Sequence, residues 1–346
     1  MPELSIIIPT YNNREALAKA LQALFRQRGD PRRYEIVVLD DGSTDGTRDA
    51  VTALAAPVRL RYHWQPNRGR SAARNAGARM AAGNVLLFLD SDIVASPDLV
   101  DRHAQYYRRH LGPVGVQGRT VIDPDCKVTF FMNTKELTPD LTFRRRGNMS
   151  PYHVVTRNLS IRAEDFWTAG GFDEQFVGYG WEDIELGLRL HRNGVRFFYD
   201  PGIVGFHAEI ETLERTRTKR RQSGESAVYF WRKRGARLGM GLFLEIHPML
   251  LPLKWLVYRT GYYGRLARRV LAWAERTQQV WVANECYNYL IWESYYDGVF
   301  PALRNGFAPA AVDANATYPG GTRTHASTPG ASSGAPLPET AHTAEP

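Results

Sequence analysis

The chain is poor in cysteine: Cys126 and Cys286 are its two among 346 residues, and they form no Cys-x-x-Cys pair. That spacing excludes a disulfide framework and the common structural zinc sites. No segment offers the about 20 mainly apolar residues that a membrane-spanning helix needs. The nearest approach, residues 238–258, is interrupted by Glu245, His247, Lys254 and two prolines. The N-terminus has no basic leader, and the apolar run at 4–8 is too short for a signal segment. These absences place the chain in the cytoplasm, or peripherally on the cytoplasmic face of a membrane. Internal repeats are also missing. Acidic charge is in deficit, with 36 Asp and Glu against 44 Lys and Arg. The deficit falls late: residues 1–208 carry 27 basic against 24 acidic residues, and residues 209–308 carry 16 against 9. An anionic partner or surface therefore belongs with the second part.

What is present begins with two apolar runs that end in carboxylates. Residues 84–89 lead into Asp90-Ser91-Asp92, and residues 35–39 lead into Asp40-Asp41. Continuous apolar runs of this length read as strands buried on both faces, the signature of a parallel sheet. Such sheets bind ligands at the carboxyl ends of their strands. Two acids one residue apart at such a tip can share a hard divalent cation and the phosphates it carries. A single Asp there would also serve as a helix cap, but two strands with acidic tips point to one crevice. Further strands are expected at 4–8, 58–64, 114–121, 195–199 and 204–207. Helices are expected at 13–28, 71–83, 97–111 and 182–193, and Thr44 or Asp45 caps the helix that follows the second strand. Alternation of this kind makes an α/β layer with a mostly parallel sheet.

Several side chains converge on that crevice. Tyr11 follows the first strand and offers a ring for stacking on a nucleobase, and Asp41 offers an acceptor for the imide N–H of uracil. Arg68, Arg70 and Arg74 lie between the third strand and its helix, with guanidinium forks suited to a diphosphate. Residues 178–185 set glycines and Trp181 before Glu182, Asp183 and Glu185. Three acids in four residues exceed what a helix dipole calls for, so one is a candidate general base. His207, at the end of a late strand, is a candidate third metal ligand beside Asp92.

Residues 123–152 show no period, include Arg144, Arg145 and Arg146, and are long for a structureless loop, which marks an acceptor-binding or mobile element. Residues 214–237 hold nine basic residues against two glutamates, and aromatics crowd 255–300. That composition reads as helices lying on a membrane surface or packed as a helical subdomain. From 308 the chain is rich in Pro, Gly, Ser, Thr and Ala, and is expected to be disordered.

In order along the chain stand Ser5-Ile-Ile-Ile-Pro-Thr-Tyr-Asn12, Asp40-Asp-Gly-Ser-Thr-Asp45, Asn67-Arg-Gly-Arg-Ser-Ala-Ala-Arg-Asn-Ala-Gly77 and Asp90-Ser-Asp92. Arg157-Asn-Leu-Ser-Ile-Arg162, Gly170-Gly-Phe-Asp-Glu174 and Trp181-Glu-Asp183 follow. Over residues 3–208 this series resembles the family 2 glycosyltransferases, which have the Rossmann-like GT-A fold. The resemblance implies an α/β domain over 1–208; composition sets off 209–307 as an α-helical extension and 308–346 as a tail. It implies Tyr11 and Asp41 at the base with Thr10 and Asp40 nearby, Arg74 near the phosphates, and Trp181 and Glu182 among the substrate-binding residues. Asp90 would meet ribose or metal, Asp92 the metal, and Asp183 would be the catalytic base; His207 matches a ligand of some branches. The implied reaction is inverting transfer of a sugar from a nucleotide diphosphate, with UDP favoured, to an acceptor hydroxyl, using Mn2+ or Mg2+. The implied setting is cell-surface glycan or glycolipid synthesis with a glycan or lipid-linked acceptor. No QxxRW-type signature of processive synthases follows the base. The competing expectation is a non-catalytic scaffold docking on anionic membrane or nucleic acid; no nucleic-acid motif accompanies the basic run, so no nucleic acid is expected as a partner.

Overall fold

The computed structural model describes residues 2–136, 146–208 and 210–305. The expected disorder of 308–346, and the part of the arginine run at 144–145, lie outside the described residues. The first half alternates as its apolar pattern requires: β1 (Leu4–Thr10), α1 (Arg14–Phe25), β2 (Tyr34–Asp40), α2 (Thr47–Thr52), β3 (Arg59–Trp64), α3 (Arg70–Met80) and β4 (Val85–Leu89). There follow β5 (Ile93–Ala95), α4 (Leu99–Arg109), β6 (Val114–Ile122), α5 (Phe130–Glu136), β7 (Gly147–Met149), β8 (Asn158–Arg162), α6 (Ala163–Thr168), α7 (Glu182–Arg192) and β9 (Arg196–His207). The remainder is helical: α8 (Leu213–Lys233), α9 (Leu238–Phe243), α10 (Leu251–Thr260), α11 (Tyr262–Arg276) and α12 (Val280–Asn305).

The strands form one sheet in the order β3-β2-β1-β4-β8-β6-β9-β5, with β7 on β9. β1, β2, β3 and β4 pair in parallel, and β6 pairs in parallel with β9. The contacts of β8 with β4 and β6, and of β9 with β5 and β7, are antiparallel. The sheet is thus parallel from β3 to β4 and mixed beyond, with antiparallel pairs that a mostly parallel sheet does not specify. Strand alternation along a sequence carries no sign of direction, which is why the turnover at β8 was invisible. Two strands expected at 195–199 and 204–207 are one strand, β9. Its register against β6 passes from Gly118↔Asp200 to Arg119↔Val204, so residues between them bulge out. The stretch 123–152 is also less bare than expected, since α5 and β7 fall within it.

Double-sided burial explains the apolar runs. Val85, Leu87 and Leu89 of β4 join a core with Leu17, Leu21 and Leu24 of α1 and Leu99 of α4. Leu86 and Phe88, pointing the other way, join Phe166 of α6 and Leu186 and Leu190 of α7. A third core binds the helical part to α7 and the loop before it: Phe176 and Leu188 are buried with Val228 and Phe230 of α8 and Tyr295, Tyr296 and Val299 of α12. α8 and α12 cross with almost no space between backbones. A Cβ added at Gly224 would lie 2.0 Å from the Tyr295 carbonyl oxygen, and one at Gly298 2.0 Å from that of Arg221. Among the described residues no helix is long and apolar enough to cross a membrane.

Candidate active site

Parallel register brings the acidic tips together. Thr10 at the end of β1 lies opposite Asp40 at the end of β2. β4 runs on the other side of β1 and delivers Asp90, Ser91 and Asp92 just past its last residue. A cleft opens over these ends. Its floor, about 60 Å³, is lined by Thr10, Tyr11, Asp41, Arg70, Arg74, Asp90 and Asp92. It continues past the shared Arg70, Arg74, Asp90 and Asp92 into a recess of about 300 Å³, bordered by Arg157, the 179–184 segment, His207, Glu211 and Lys219.

At the far end of the floor, Tyr11 is almost wholly buried and Thr10 Oγ1 is buried without a hydrogen-bond partner. Asp41 organises the loop that follows β3, accepting from the N–H groups of Arg68 (2.9 Å) and Gly69 (2.9 Å) and from Gln65 Nε2 (2.7 Å). Asp40, expected near the base, is not among the lining residues. Its carboxylate accepts from the Ser43 N–H at 2.7 Å and from the Tyr62 hydroxyl, and so shapes the turn after β2. Arg68 reaches away to Glu174 at 3.2 Å, while Arg70 and Arg74 line the cleft.

Arg74 is the hub of the centre. Its guanidinium, 3% exposed, meets Asp90 at 3.0 Å, Asp183 at 3.3 Å and Glu182 at 3.4 Å. Burial opposes its charge, but Asp183, Asp90 and Glu182 outweigh burial and hold its proton more firmly than usual. Three acids that would repel one another at the start of α7 and the tip of β4 are thus tied to one cation. Asp183 is fixed from a second side by Thr156, whose hydroxyl donates to it at 2.6 Å and whose N–H donates at 3.1 Å. Burial, with the charge of Asp183, pushes the Glu182 carboxyl up against the opposing pull of Arg70 and Arg74. Glu185, one turn further along α7, turns away and pairs with Arg189 (2.7 Å) and Lys233 (2.8 Å).

The entry to α7 is set by α8. Trp181 adopts a left-handed conformation at φ 72° and donates its indole N–H to the Ser223 carbonyl at 2.9 Å. Gly180, at φ 97°, lies against Ser223 so closely that a Cβ would come within 2.9 Å of its hydroxyl. The Arg70 guanidinium sits 4.8 Å from the centroid of the Tyr179 ring.

At the other lip, Asp92 is 6% exposed and its Oδ1 is buried with no hydrogen-bond partner. His207 Nε2 lies 3.3 Å from the other oxygen. Burial works against ionisation of Asp92, but His207, Lys219 and Arg157 outweigh it and keep the carboxyl below its ordinary range. Among the described residues no three His, Cys, Asp or Glu side chains gather as a ready metal cage. A hard cation that brings its own phosphate oxygens needs one or two protein carboxylates rather than a cage, and an ionised, under-coordinated Asp92 fits that demand. Asp90 and His207 stand beside it.

Thr156, Arg157, Glu211 and Lys219 are not among the site residues expected from sequence. Thr156 and Arg157 precede β8; Arg157 was legible only as part of a motif, and its charge is favoured, against burial, by Tyr179, Asp90, Asp92 and Asp183. Glu211 and Lys219, which pair with each other, come from the helical part, whose charge looked like a solvated or membrane-facing run.

Comparison with known proteins agrees with this layout. The model of a family described as glycosyl transferase family 2 matches residues 5–168, and one described as N-terminal domain of galactosyltransferase matches residues 147–217. The validoxylamine A glucosyltransferase of Streptomyces hygroscopicus subsp. limoneus is 32% identical over an alignment taking in 81% of this chain and 64% of that protein. Its counterpart from subsp. jinggangensis is 32% identical, over 81% of this chain and 69% of that protein. The chain therefore spans about two thirds of the length of these relatives. Among solved structures, a mannosyltransferase from Pyrobaculum calidifontis in complex with GDP-Man and Mn2+ is 18% identical, covering 87% of this chain and 88% of that one, with a TM-score of 0.57. S. aureus TarS in complex with UDP is 18% identical, covering 88% and 92%, with a TM-score of 0.51. At such identities the likeness is one of fold.

Proposed function

The chain belongs to glycosyl transferase family 2, and on that premise we propose that it moves a sugar from a nucleotide diphosphate to an acceptor hydroxyl with inversion at the anomeric carbon. The observation that carries the reading is the pairing, across one cleft, of a buried carboxylate oxygen with no partner, on Asp92, and a rigidly held carboxylate, on Asp183. Asp183 takes the proton of the acceptor hydroxyl as its oxygen bonds to the anomeric carbon. The bond from that carbon to the diphosphate oxygen breaks on the opposite face. Arg157 and Lys219 bring fixed positive charge to the recess where the leaving diphosphate gains negative charge. Asp92, with Asp90 and His207 beside it, would hold Mn2+ or Mg2+, which when bound supplies Lewis-acid stabilisation of that diphosphate. The relative solved with Mn2+ supports this assignment.

Tyr11 and Asp41 line the floor, where the nucleobase belongs in this reading. UDP is the favoured carrier because a small pyrimidine offers an imide edge to Asp41. Calorimetry with UDP, GDP and dTDP in the presence of Mn2+ tests it: UDP binds more tightly than GDP, and Asp92→Asn weakens the metal-dependent part. Tighter binding of GDP overturns the choice of base. Absence of both nucleotide binding and turnover overturns the enzyme itself, in favour of a docking scaffold.

On the acceptor side, a lipid-associated substrate and an anionic membrane surface belong to the same reading. Support comes from α9, α10 and α11, which expose Leu242, Leu253, Leu256, Leu266 and Trp273 alongside Arg259, Arg265, Arg269 and Arg276. Cutting the chain near residue 210 is a poor test of this idea, because Phe176 and Leu188 would lose the helices that bury them.

A further inference from the structure

A second recess of about 540 Å³ lies between the C-terminal ends of α7 and α8, and it shares no lining residue with the cleft. Its walls carry Arg189, Arg192, Lys233, Arg234 and Arg237 against a single acid, Glu185. That acid is already spoken for, by Arg189 at 2.7 Å and Lys233 at 2.8 Å. Cations near helix C-termini are ordinary, since they meet the negative end of the helix dipole. This accounts for Arg192 and Lys233, the last residues of α7 and α8. Arg234, the C-cap of α8, differs from them in that its Nε and Nη2 are buried and donate to nothing among the described residues. Burial and the nearby Arg192 pull the Arg234 proton affinity down, against the effect of Glu185. Like charges gathered around unsatisfied buried donors are costly unless an anion joins them.

We propose that this recess binds a phosphate-bearing anion, separate from the nucleotide-sugar cleft, with the Arg234 guanidinium as its central donor. Phosphate oxygens suit the planar fork of arginine, and an anion would balance Arg192, Arg234 and Arg237, which remain after Glu185 and Asp173 (2.7 Å from Lys233) are counted. Two sources share that chemistry: a soluble phosphate or diphosphate, and the phosphate headgroup of a lipid. Arg237 leads directly into α9, where Leu238 and Leu242 are exposed, so a headgroup held here would set its chains beside an apolar helix.

The test uses the full chain with a chelator present, which keeps metal-dependent binding in the other cleft out of the readout. Inorganic phosphate and pyrophosphate are titrated by calorimetry, and phosphatidylcholine vesicles with and without phosphatidic acid are used in flotation. Saturable binding of pyrophosphate without vesicle binding assigns a soluble anion. Phosphatidate-dependent flotation that pyrophosphate competes away assigns a headgroup. In either case Arg234→Gln should weaken binding by ~10-fold or more, as expected for loss of a charged hydrogen bond, and Asp92→Asn should leave it unchanged. The exposed Arg192→Gln repeats the test should Arg234→Gln fold poorly. No saturable binding of any probe, binding indifferent to both arginine changes, or binding that Asp92→Asn removes would each overturn the proposal. None of these results bears on sugar transfer, which is read separately.

Discussion

The sheet and the helical layer use apolar side chains in opposite ways. Among the described residues, five large apolar side chains are exposed through residue 207, while between 210 and 281 there are fifteen. The sheet buries its strands on both faces and offers polar tips to a cleft. The helices bury one stripe against α12 and leave another facing outward. In the reading proposed above, the first region is the chemical centre and the second, with its outward apolar stripe and basic border, is its mooring. Yet the division is incomplete, because Lys219 and Glu211 reach into the cleft from the helical side.

The sharpest break in this contrast is a change at the chemical centre that spares both regions structurally. Asp183→Asn keeps the shape that Thr156 and Arg74 grip, and transfer should fall by ~10²–10⁴-fold with UDP and Mn2+ binding retained. Glu182→Gln should cost less in turnover. Near wild-type transfer by Asp183→Asn in a radiolabelled-sugar assay would move the base elsewhere. Next comes Arg74→Met, which leaves three acids without their shared cation. Urea unfolding should register a loss of about 3–5 kcal/mol, and a loss below about 1 kcal/mol would show that the hub is dispensable.

Acid titration probes the sheet region by itself. His103 of α4 is buried between Ser160 Oγ (2.8 Å) and Asn158 Oδ1 (2.9 Å) of β8, and burial pushes its pKa down to about 4. The unfolded chain takes up this proton near about pH 6.5, while the folded chain refuses it. Stability should therefore fall as pH drops from about 6.5 to about 4, by roughly 3 kcal/mol in all. His103→Gln should flatten that part of the curve; an unchanged curve would mean that other groups set it. In the helical region, Gly224→Ala should cost about 1–3 kcal/mol by forcing α8 from α12. Gly239→Ala, with nothing within 4 Å of the new methyl, is the matched control. The smallest effect on folding belongs to the outward stripe. Replacing Leu242, Leu253 and Trp273 by Ser should each shift stability by no more than about 0.5 kcal/mol, while sedimentation with anionic vesicles is lost. Retained sedimentation would unseat the mooring role.

The strands that carry the cleft were legible because burial on both faces writes an unbroken apolar run, and the acids after β2 and β4 stand where parallel strands end. The direction of β8 was not legible, nor was the fusion of two predicted strands into β9, since both depend on partners distant in the chain. Residue type does not show that the Asp40 carboxylate also ties down the turn after β2, through the Ser43 N–H. Lys219 was hidden for another reason: in a run of nine basic residues nothing marks one as different until α8 is laid against the 178–181 segment.

That seating of α8 bears on how such proteins diversify. Recombination that joined this sheet to another relative's helices after residue 208 would exchange the groups that meet Gly180 and Trp181, together with Lys219. A crossover there would therefore disturb the entry to α7 and its acids even with every sheet residue intact. Exchange of the helical part would succeed only where the incoming helix keeps a Ser223-like contact for the indole, and α8 would have to travel together with α12, whose Gly298 lies against the Arg221 carbonyl.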